Sequence, residues 1–342
     1  MNEIRVSVVI PLYNGGDHIM KCIKKLDAQD CAFDYEVIIV DDCSTDDSAD
    51  LVESRINELH RSEAFQLIRS FQNGRAGAAR NIGVKMAKGH YILFIDQDDY
   101  PDTKMLRILW ENSQEGKVDL VSCAVMDRKS IPYFRPKIDA DHTLSQKERS
   151  ALLKDYGYVF ASLIKRSVLL NNHISFPENV MFEDCLYNVG VIASIETVQT
   201  INEILYYRED EQNSQTASFS EKKLNDRIDA VKIYLHAFQD NEKIRQYMPE
   251  IKLNAFYYTY LSCMFWILAI PNLYTQELFN RCLKEGRAMQ MSWKEVIHED
   301  KHFSKPILYL LKLIYDVPIM AFPARFCGTT GYKILKAAKK EL

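Results

Sequence analysis

Short apolar runs alternate with segments of helical periodicity over the first hundred residues, and this alternation constrains the fold more than any other feature. Four runs rich in β-branched or aromatic residues are predicted to be strands, at residues 6–10, 36–40, 65–70 and 91–95. A segment with helical spacing follows each of the first three. Strands that alternate with helices indicate right-handed βαβ units. The sequence therefore predicts an α/β fold, with a mostly parallel sheet and helices on both of its faces.

Each predicted helix between these strands has one apolar face, which we expect to pack against the sheet. In the first helix this face consists of Ile19, Cys22, Ile23 and Leu26. In the second it consists of Leu51, Val52, Ile56 and Leu59, and in the third of Ala78, Ala79, Ile82 and Met86.

The rest of the sequence divides into a mixed part and a helical part. Residues 118–126 and 196–208 have the composition of strands, whereas strand signals fade from about residue 219. We therefore expect two domains, an α/β domain at residues 1–218 and an α-helical C-terminal region at residues 219–342. The uncharged stretch Leu253–Gln276 is apolar over only a short part, which favours a buried helix over a membrane span.

Composition and charge argue against several classes of protein. A formal net charge of -4 gives no reason to expect a nucleic-acid partner. The eight cysteines show no paired spacing and are interpreted as free thiols in a reducing compartment. The N-terminal apolar run is short and stops at Pro11, which favours a strand over a signal peptide. We therefore predict a cytoplasmic protein.

Polar residues directly follow three of the four predicted strands. They are Tyr13 and Asn14, then Asp41 and Asp42, then Asp96, Gln97, Asp98 and Asp99. In open parallel sheets, ligands bind beyond the carboxyl ends of the strands. Clustered carboxylates there are costly without a cation, and Mg²⁺ or Mn²⁺ takes one or two protein carboxylates together with substrate phosphates. The pattern predicts a divalent-metal site; the alternative is a solvated acidic loop with Asp102 as a helix cap.

Four blocks of sequence resemble, in order and spacing, the signature blocks of family 2 glycosyltransferases with the GT-A fold. They are VSVVIPLYNGGDHIMKCIKKL, EVIIVDDCSTDDS, NGRAGAARNIGVKMAKGHYILFIDQDDY and MFEDCLYN, which lie within about residues 4–215. The resemblance implies a Rossmann-like GT-A sheet. It also implies transfer of a sugar, with inversion, from a nucleotide-diphosphate donor of the UDP-sugar type to a glycan or lipid-linked acceptor. Mn²⁺ or Mg²⁺ is the implied cofactor.

The resemblance also implies roles for individual residues. Asp184 is the expected general base, Asp98 the expected metal ligand, and Asp99 an orienting neighbour. The residues expected to bind the donor are Pro11, Tyr13, Asp41, Asp42, Arg80, Asn81, Asp96 and Arg208. The segment around Arg208 departs from the common form of the family.

Structural alternatives stay open for several of these residues. Either Asp41 or Asp42 is expected to hydrogen-bond the base or ribose. Arg80 is favoured over Arg75 for contact with the diphosphate or the donor sugar, although a salt bridge to the acidic residues would also explain it. Glu183 and Asp184 would also suit the start of a helix, where acidic side chains favour the helix dipole.

Basic residues are concentrated at the C-terminus. Residues 301–342 hold eight lysines and arginines against two acidic residues, a formal charge of +6, whereas the rest of the chain carries -10. In residues 305–318 one face carries Ile307, Leu310, Leu311 and Ile314. Such a face beside lysines is typical of a helix that lies on an anionic membrane surface. We predict peripheral attachment to the cytoplasmic face of the cell membrane, with an ordinary packing helix as the alternative.

Two other functions remain open. A nucleotidyltransferase also uses an α/β sheet and a metal-holding aspartate, but it requires a basic loop after the first strand, and PLYNGGDHI has no Lys or Arg. A nucleotide-sugar-binding protein without catalysis would not need a base, whereas Asp184 is present.

Overall fold

The computed structural model describes residues 3–127, 130–134, 137–154, 159–209, 220–239, 241–270, 273–300 and 303–318. The chain divides into two compact units, Met1–Ser214 and Gln215–Leu342. That residues 1–218 form the catalytic domain and residues 219–342 a separate helical region stays a prediction.

The strands of the first unit form one sheet. They are β1 Val6–Leu12, β2 Tyr35–Asp41, β3 Phe65–Arg69, β4 Tyr91–Phe94, β5 Asp99–Pro101, β6 Leu120–Met126, β7 Pro132–Tyr133, β8 Ser162–Lys165 and β9 Val198–Arg208. Their order is β3-β2-β1-β4-β8-β6-β9-β5, with β7 paired to β6. β3, β2, β1 and β4 are parallel, which confirms the predicted βαβ half. The other half is mixed, because β8 is antiparallel to β4 and β6, and β5 to β9, whereas β6 and β9 are parallel.

The helices of the first unit are α1 Gly16–Asp27, α2 Ser48–Ile56, α3 Arg75–Met86, α4 Met105–Asn112, α5 Gln146–Lys154, α6 Arg166–Asn171 and α7 Glu183–Ser194. A short 3₁₀ helix spans Ser62–Ala64. The predicted face of α1 is confirmed, because Ile19, Cys22, Ile23 and Leu26 are all fully buried.

The predicted inward faces of α2 and α3 are wrong at one position each, since Leu51 is 39% exposed and Met86 46% exposed. In α3 the physical reason is a close approach of the helix backbone to β1. A Cβ added at Gly83 would lie 2.2 Å from Cγ1 of Val9. Small side chains therefore face the sheet, and the larger Met86 is rotated outwards.

The second unit is helical in its described part. Its elements are α8 Glu221–Gln239, α9 Glu242–Arg245, α10 Met248–Phe256, a π-helical turn Tyr257–Leu261, α11 Ser262–Ala269, α12 Gln276–Ala288, α13 Trp293–Glu299 and α14 Lys305–Asp316. Within Leu253–Gln276, the side chains of Phe256, Tyr260 and Met264 are fully buried, in agreement with the predicted buried helix. Among the described residues, we find no helix that combines the length and the hydropathy needed to span a bilayer.

Helix α14 packs within the second unit through its apolar face. The buried side chains are Ile307, Leu308, Leu311 and Ile314. The hydroxyl of Tyr260 donates a hydrogen bond to the carbonyl of Leu311 at 2.7 Å. Three of the four residues predicted for this face are therefore interior, as in the packing-helix alternative. The exposed apolar side chains of the helix and its end are Tyr309, Leu313 and Val317.

The contact between α3 and β1 gives a testable prediction. Gly83→Ala should lower the free energy of unfolding by about 1–3 kcal/mol, because the added methyl overpacks against Val9. Helix propensity alone would act in the opposite direction, by up to about 1 kcal/mol. Gly190→Ala in α7 is the matched control, since its Cβ would lie 3.4 Å from Cγ2 of Ile174, an ordinary contact. Urea unfolding measures both; a Gly83→Ala protein as stable as the control would contradict the close approach.

Candidate functional site

The loops that follow β1, β2 and β4 are joined by side-chain hydrogen bonds. Oε1 of Gln97 accepts the backbone N–H of Tyr13 at 2.8 Å, and its Nε2 donates to the Tyr13 carbonyl at 3.2 Å. Oδ1 of Asn14 accepts the N–H of Thr45 at 2.8 Å. Pro11 lies within β1 beside Val40 of β2. The parallel strands therefore gather the predicted groups Pro11 and Tyr13 at the edge that carries the aspartates.

Asp41 and Asp42 stand at the carboxyl end of β2, and both are buried. The carboxylate of Asp41 accepts the N–H of Ser44 at 3.3 Å. Oδ1 of Asp42 accepts the N–H of Gly74 at 2.9 Å, whereas its buried Oδ2 has no hydrogen-bond partner among the described residues. Burial raises the pKa of Asp42, and the N–H groups of Gly74 and Arg75 act against that rise. A buried carboxylate oxygen without a partner is suited to a ligand N–H or O–H.

Three carboxylates cluster between the end of β4 and the first residue of β5, in the segment Asp96–Asp99, which we call the acidic loop. Oxygen atoms of Asp96, Asp98 and Asp99 all lie within 4.8 Å of one another. A tight turn brings them together, since the N–H of Asp99 donates to the carbonyl of Asp96 at 3.1 Å. An all-oxygen set of this size fits a hard divalent cation such as Mg²⁺ or Mn²⁺.

Asp99 is anchored to the end of β9. The hydroxyl of Tyr206 donates to Oδ2 of Asp99 at 2.8 Å and accepts the N–H of Asp96 at 3.2 Å. Nε of Arg208 lies 3.9 Å from the same carboxylate oxygen. Burial, with the charges of Asp96 and Asp98, raises the pKa of Asp99 to about 8, although Arg208 and Tyr206 oppose this. Arg208, at the end of β9, therefore lies beside the acidic loop that Asp99 holds in place, and its contact with a donor stays a prediction.

Arg80 of α3 joins the acidic loop to the start of α7. The residue is 5% exposed. Its Nη2 donates to Oδ1 of Asp96 at 2.7 Å, and its Nη1 forms a short contact with Oε1 of Glu183. Its guanidinium lies 5.3 Å from the ring centre of Phe176. In this state Arg80 is a buried salt-bridge residue, the alternative raised by the sequence, and its contact with a donor stays a prediction.

Asn81 holds the loop that precedes α7. Its Oδ1 accepts the N–H of Phe176 at 2.9 Å, and its Nδ2 donates to the Phe176 carbonyl at 2.9 Å. Gly77 on the same helix allows this approach, because a Cβ there would lie 2.4 Å from the carbonyl oxygen of Pro177. A direct contact of Asn81 with a donor stays a prediction.

Asp184 is the second residue of α7 and is half-buried. Its Oδ1 accepts the N–H of Cys185 at 3.0 Å. Burial raises the pKa of Asp184 to about 6; the charges of Glu183 and Asp96 add to the rise, and Arg80 opposes it. A carboxylate that is ionised near neutral pH but retains some basicity is suited to general-base catalysis.

Two residues that position the acidic loop received no role from the sequence. Gln97 was placed at the site among the polar residues after the fourth strand, but its bonding to Tyr13 was not foreseen, and Tyr206 was not identified. Tyr206 and the loop it contacts are 110 residues apart in the chain. The available signal for Tyr206 was its place on a strand that ends at Arg208, a residue already assigned to the site.

Comparisons with known proteins identify relatives among glycosyltransferases. The family described as Glycosyl transferase family 2 matches residues 7–182, just over half of the chain. The chain is 30% identical over 226 residues to the uncharacterized glycosyltransferase EpsJ of Bacillus subtilis (strain 168), a match that covers 62% of each protein. It is 27% identical over 208 residues to poly(ribitol-phosphate) beta-N-acetylglucosaminyltransferase TarS of Staphylococcus aureus (strain Mu50 / ATCC 700699), covering 60% of this chain and 35% of that protein. Each match thus spans less than two thirds of the relative.

Two solved structures have a similar fold. The crystal structure of S. aureus TarS 1–349 in complex with UDP-GlcNAc superposes with a TM-score of 0.68 at 18% identity, and covers 98% of this chain and 93% of that chain. Mannosyltransferase PcManGT from Pyrobaculum calidifontis, in complex with GDP-Man and Mn²⁺, gives a TM-score of 0.54 at 18% identity, with 98% and 85% covered. These likenesses confirm the predicted α/β fold of the GT-A type.

Proposed function

Because this chain belongs to glycosyl transferase family 2, we propose that it transfers a sugar from a nucleotide-diphosphate donor to a hydroxyl of a glycan or lipid-linked acceptor. The donor is a UDP-sugar that carries a hexose or an N-acetylhexosamine. The observation that carries the proposal is the acidic loop Asp96–Asp99 held against Arg80 and the Glu183–Asp184 pair, at the carboxyl edge of parallel strands. The UDP-GlcNAc complex of TarS supports the choice of donor.

The nucleoside binds beyond the ends of β1 and β2 in this proposal. Pro11 and Tyr13 border the base, and the unpartnered Oδ2 of Asp42 accepts an N–H of the base or an O–H of the ribose. Asp41 stands next to it, with its carboxylate turned to the N–H of Ser44. A uracil ring offers one N–H donor, which suits a single carboxylate oxygen.

The divalent ion is Mn²⁺ or Mg²⁺, held through Asp98. When bound, the ion stabilises the charge that develops on the departing nucleoside diphosphate. The Mn²⁺ complex of PcManGT, a protein of similar fold, supports the choice of a divalent cofactor. Asp96, which Arg80 keeps in place, faces the ribose or the donor sugar. Arg208 lies 3.9 Å from Asp99 of the acidic loop and attracts the diphosphate.

Asp184 is the general base. It takes the proton of the acceptor hydroxyl while the acceptor oxygen bonds to the anomeric carbon, and the bond from that carbon to the diphosphate breaks on the opposite face. The configuration at the anomeric carbon is therefore inverted. Its half-buried position and raised pKa match this role.

The metal assignment predicts that UDP binding depends on the ion. Calorimetric titration should give a lower Kd for UDP with Mn²⁺ than with EDTA, and Asp98→Ala should remove most of the difference. Loss of an outer-shell partner alone weakens a metal site by about 10- to 100-fold, and loss of a ligand should cost at least as much. Asp50→Ala is the control, because Asp50 is an exposed aspartate of α2 paired with Arg69. Equal UDP affinity with and without metal in the unaltered protein would contradict the assignment.

The base assignment predicts that Asp184→Asn lowers transfer by about 10²–10⁴-fold while UDP affinity is kept, since a positioned base contributes about that much. The rate of the unaltered protein should fall as the pH drops below about 6, because Asp184 is then protonated. Asp17→Asn, which removes the charge of an exposed acid in the first turn of α1, is the control for losing an acid at a helix start. If Asp184→Asn transfers sugar as fast as this control, Asp184 acts only at the start of the helix and is not the base.

We also propose attachment to an anionic membrane surface through the exposed face of α14, which carries Lys305, Tyr309 and Leu313. The basic residues beyond position 318 lie outside the described residues, and their contribution rests on charge alone. Each lysine or arginine near such a surface contributes about 1 kcal/mol.

The membrane proposal predicts that the protein co-sediments with phosphatidylglycerol vesicles but not with phosphatidylcholine vesicles. The double change Tyr309→Gln and Leu313→Gln should reduce sedimentation, since it removes exposed apolar area without touching the buried face. The control is Ile233→Gln with Leu51→Gln, two apolar residues exposed elsewhere at 42% and 39%. Equal sedimentation of the two double variants would assign α14 to packing alone.

A further inference from the structure

The buried guanidinium of Arg80 forms ion pairs with two segments that have different roles in the proposed reaction. The Arg80 side chain is 6% exposed, and the carboxylates it binds are 27% exposed at Asp96 and 13% exposed at Glu183. Asp96 belongs to the donor-binding loop, whereas Glu183 begins the helix whose next residue is the base Asp184. A buried charge that loses one partner is strongly destabilised, so the guanidinium requires both carboxylates.

The chain enters α7 in a conformation that neighbouring contacts must hold. Phe182, directly before Glu183, has a φ of 64° in the left-handed region, which is unfavourable for a phenylalanine and persists only where the surroundings fix it. The ion pair between Glu183 and Arg80 is one such contact. Asn81, on the same helix as Arg80, fixes the preceding loop through the backbone of Phe176.

The two acids at the start of α7 have different partners. The carboxylate of Glu183 is bound by the guanidinium of Arg80. Among the described residues Asp184 forms no ion pair, and its carboxylate accepts the N–H of Cys185. The side chain of Glu183 is therefore occupied in a way that leaves it unsuited to take a proton from an acceptor.

We infer that Glu183 is a positioning residue that acts through Arg80: it orients the guanidinium that fixes Asp96, and it sets the entry of α7 that places Asp184. The inference rests on the proposed function. The side chain of Arg80 then aligns the acidic loop with the base Asp184. Loss of either ion pair displaces the acidic loop and the base relative to each other.

The test is a double-mutant cycle with Arg80→Lys and Glu183→Gln, read as kcat, donor KM and UDP affinity. Lysine keeps the charge but lacks the planar fork that binds two carboxylates. Each single variant should lower kcat by about 10- to 100-fold, the loss expected from a misplacement on the order of 1 Å. The Kd for UDP should change much less. The double variant should be no slower than Arg80→Lys alone, because Glu183 acts only through Arg80.

The control pair is Arg69→Lys with Glu53→Gln, another arginine that binds two carboxylates, but on the exposed surface of α2 and β3. These variants should leave kcat unchanged. Glu183→Asp, which keeps the charge, should be faster than Glu183→Gln and serves if the glutamine variant does not fold. Losses in kcat that multiply across the cycle, with an active unaltered protein, overturn the inference and leave the proposed function standing. An unaltered protein that transfers no sugar from any UDP-sugar overturns both.

Discussion

The buried guanidinium of Arg80 is the interaction on which the rest of the site depends. Its two carboxylate partners, Asp96 and Glu183, lie 16 and 103 residues away in the chain, so the ion pairs exist only once the sheet and α7 have assembled. The aromatic ring of Phe176 lies on one side of the guanidinium. Burying these charges costs desolvation free energy unless their geometry and hydrogen bonds are good. The arrangement therefore depends on close packing of the backbone around it.

Glycines and hydrogen-bonding side chains, rather than large apolar side chains, produce this close packing. Gly77 and Gly83 let α3 approach the loop before α7 and the strand β1, respectively. Gln97 joins the loops after β1 and β4 by hydrogen bonds. The hydroxyl of Tyr206 holds one backbone group of the acidic loop, the N–H of Asp96, and one side chain, the carboxylate of Asp99. Parallel strands supply the common edge, but these contacts determine how the acidic side chains are oriented along it.

Local periodicity predicted what is local in this fold. The strands β1–β4, the buried face of α1 and the acidic cluster at the end of β4 all follow from short patterns. The outward rotation of Met86 does not, because it depends on the approach of Gly83 to a strand more than seventy residues earlier in the chain. The short strands β5 and β8 were not predicted, for a similar reason. A strand of three or four residues is too short to show an alternating pattern, and its pairing depends on partners far along the chain.

From the residues alone, site chemistry was predictable only as residue types; expected roles for individual acids came from the family resemblance, and the structure supplies the environment of each acid. The pair Glu183–Asp184 illustrates the difference. Acidic side chains in a first helical turn are expected for capping and for the helix dipole, and either of them would also serve as a base. The structure separates the two: Glu183 is paired with Arg80, while burial raises the pKa of Asp184 to about 6. Where neighbouring acids are given environments that differ in this way, they take different roles. The ion pair with Arg80 therefore accounts for Glu183, and Asp184 is the acid of the pair whose environment favours proton transfer.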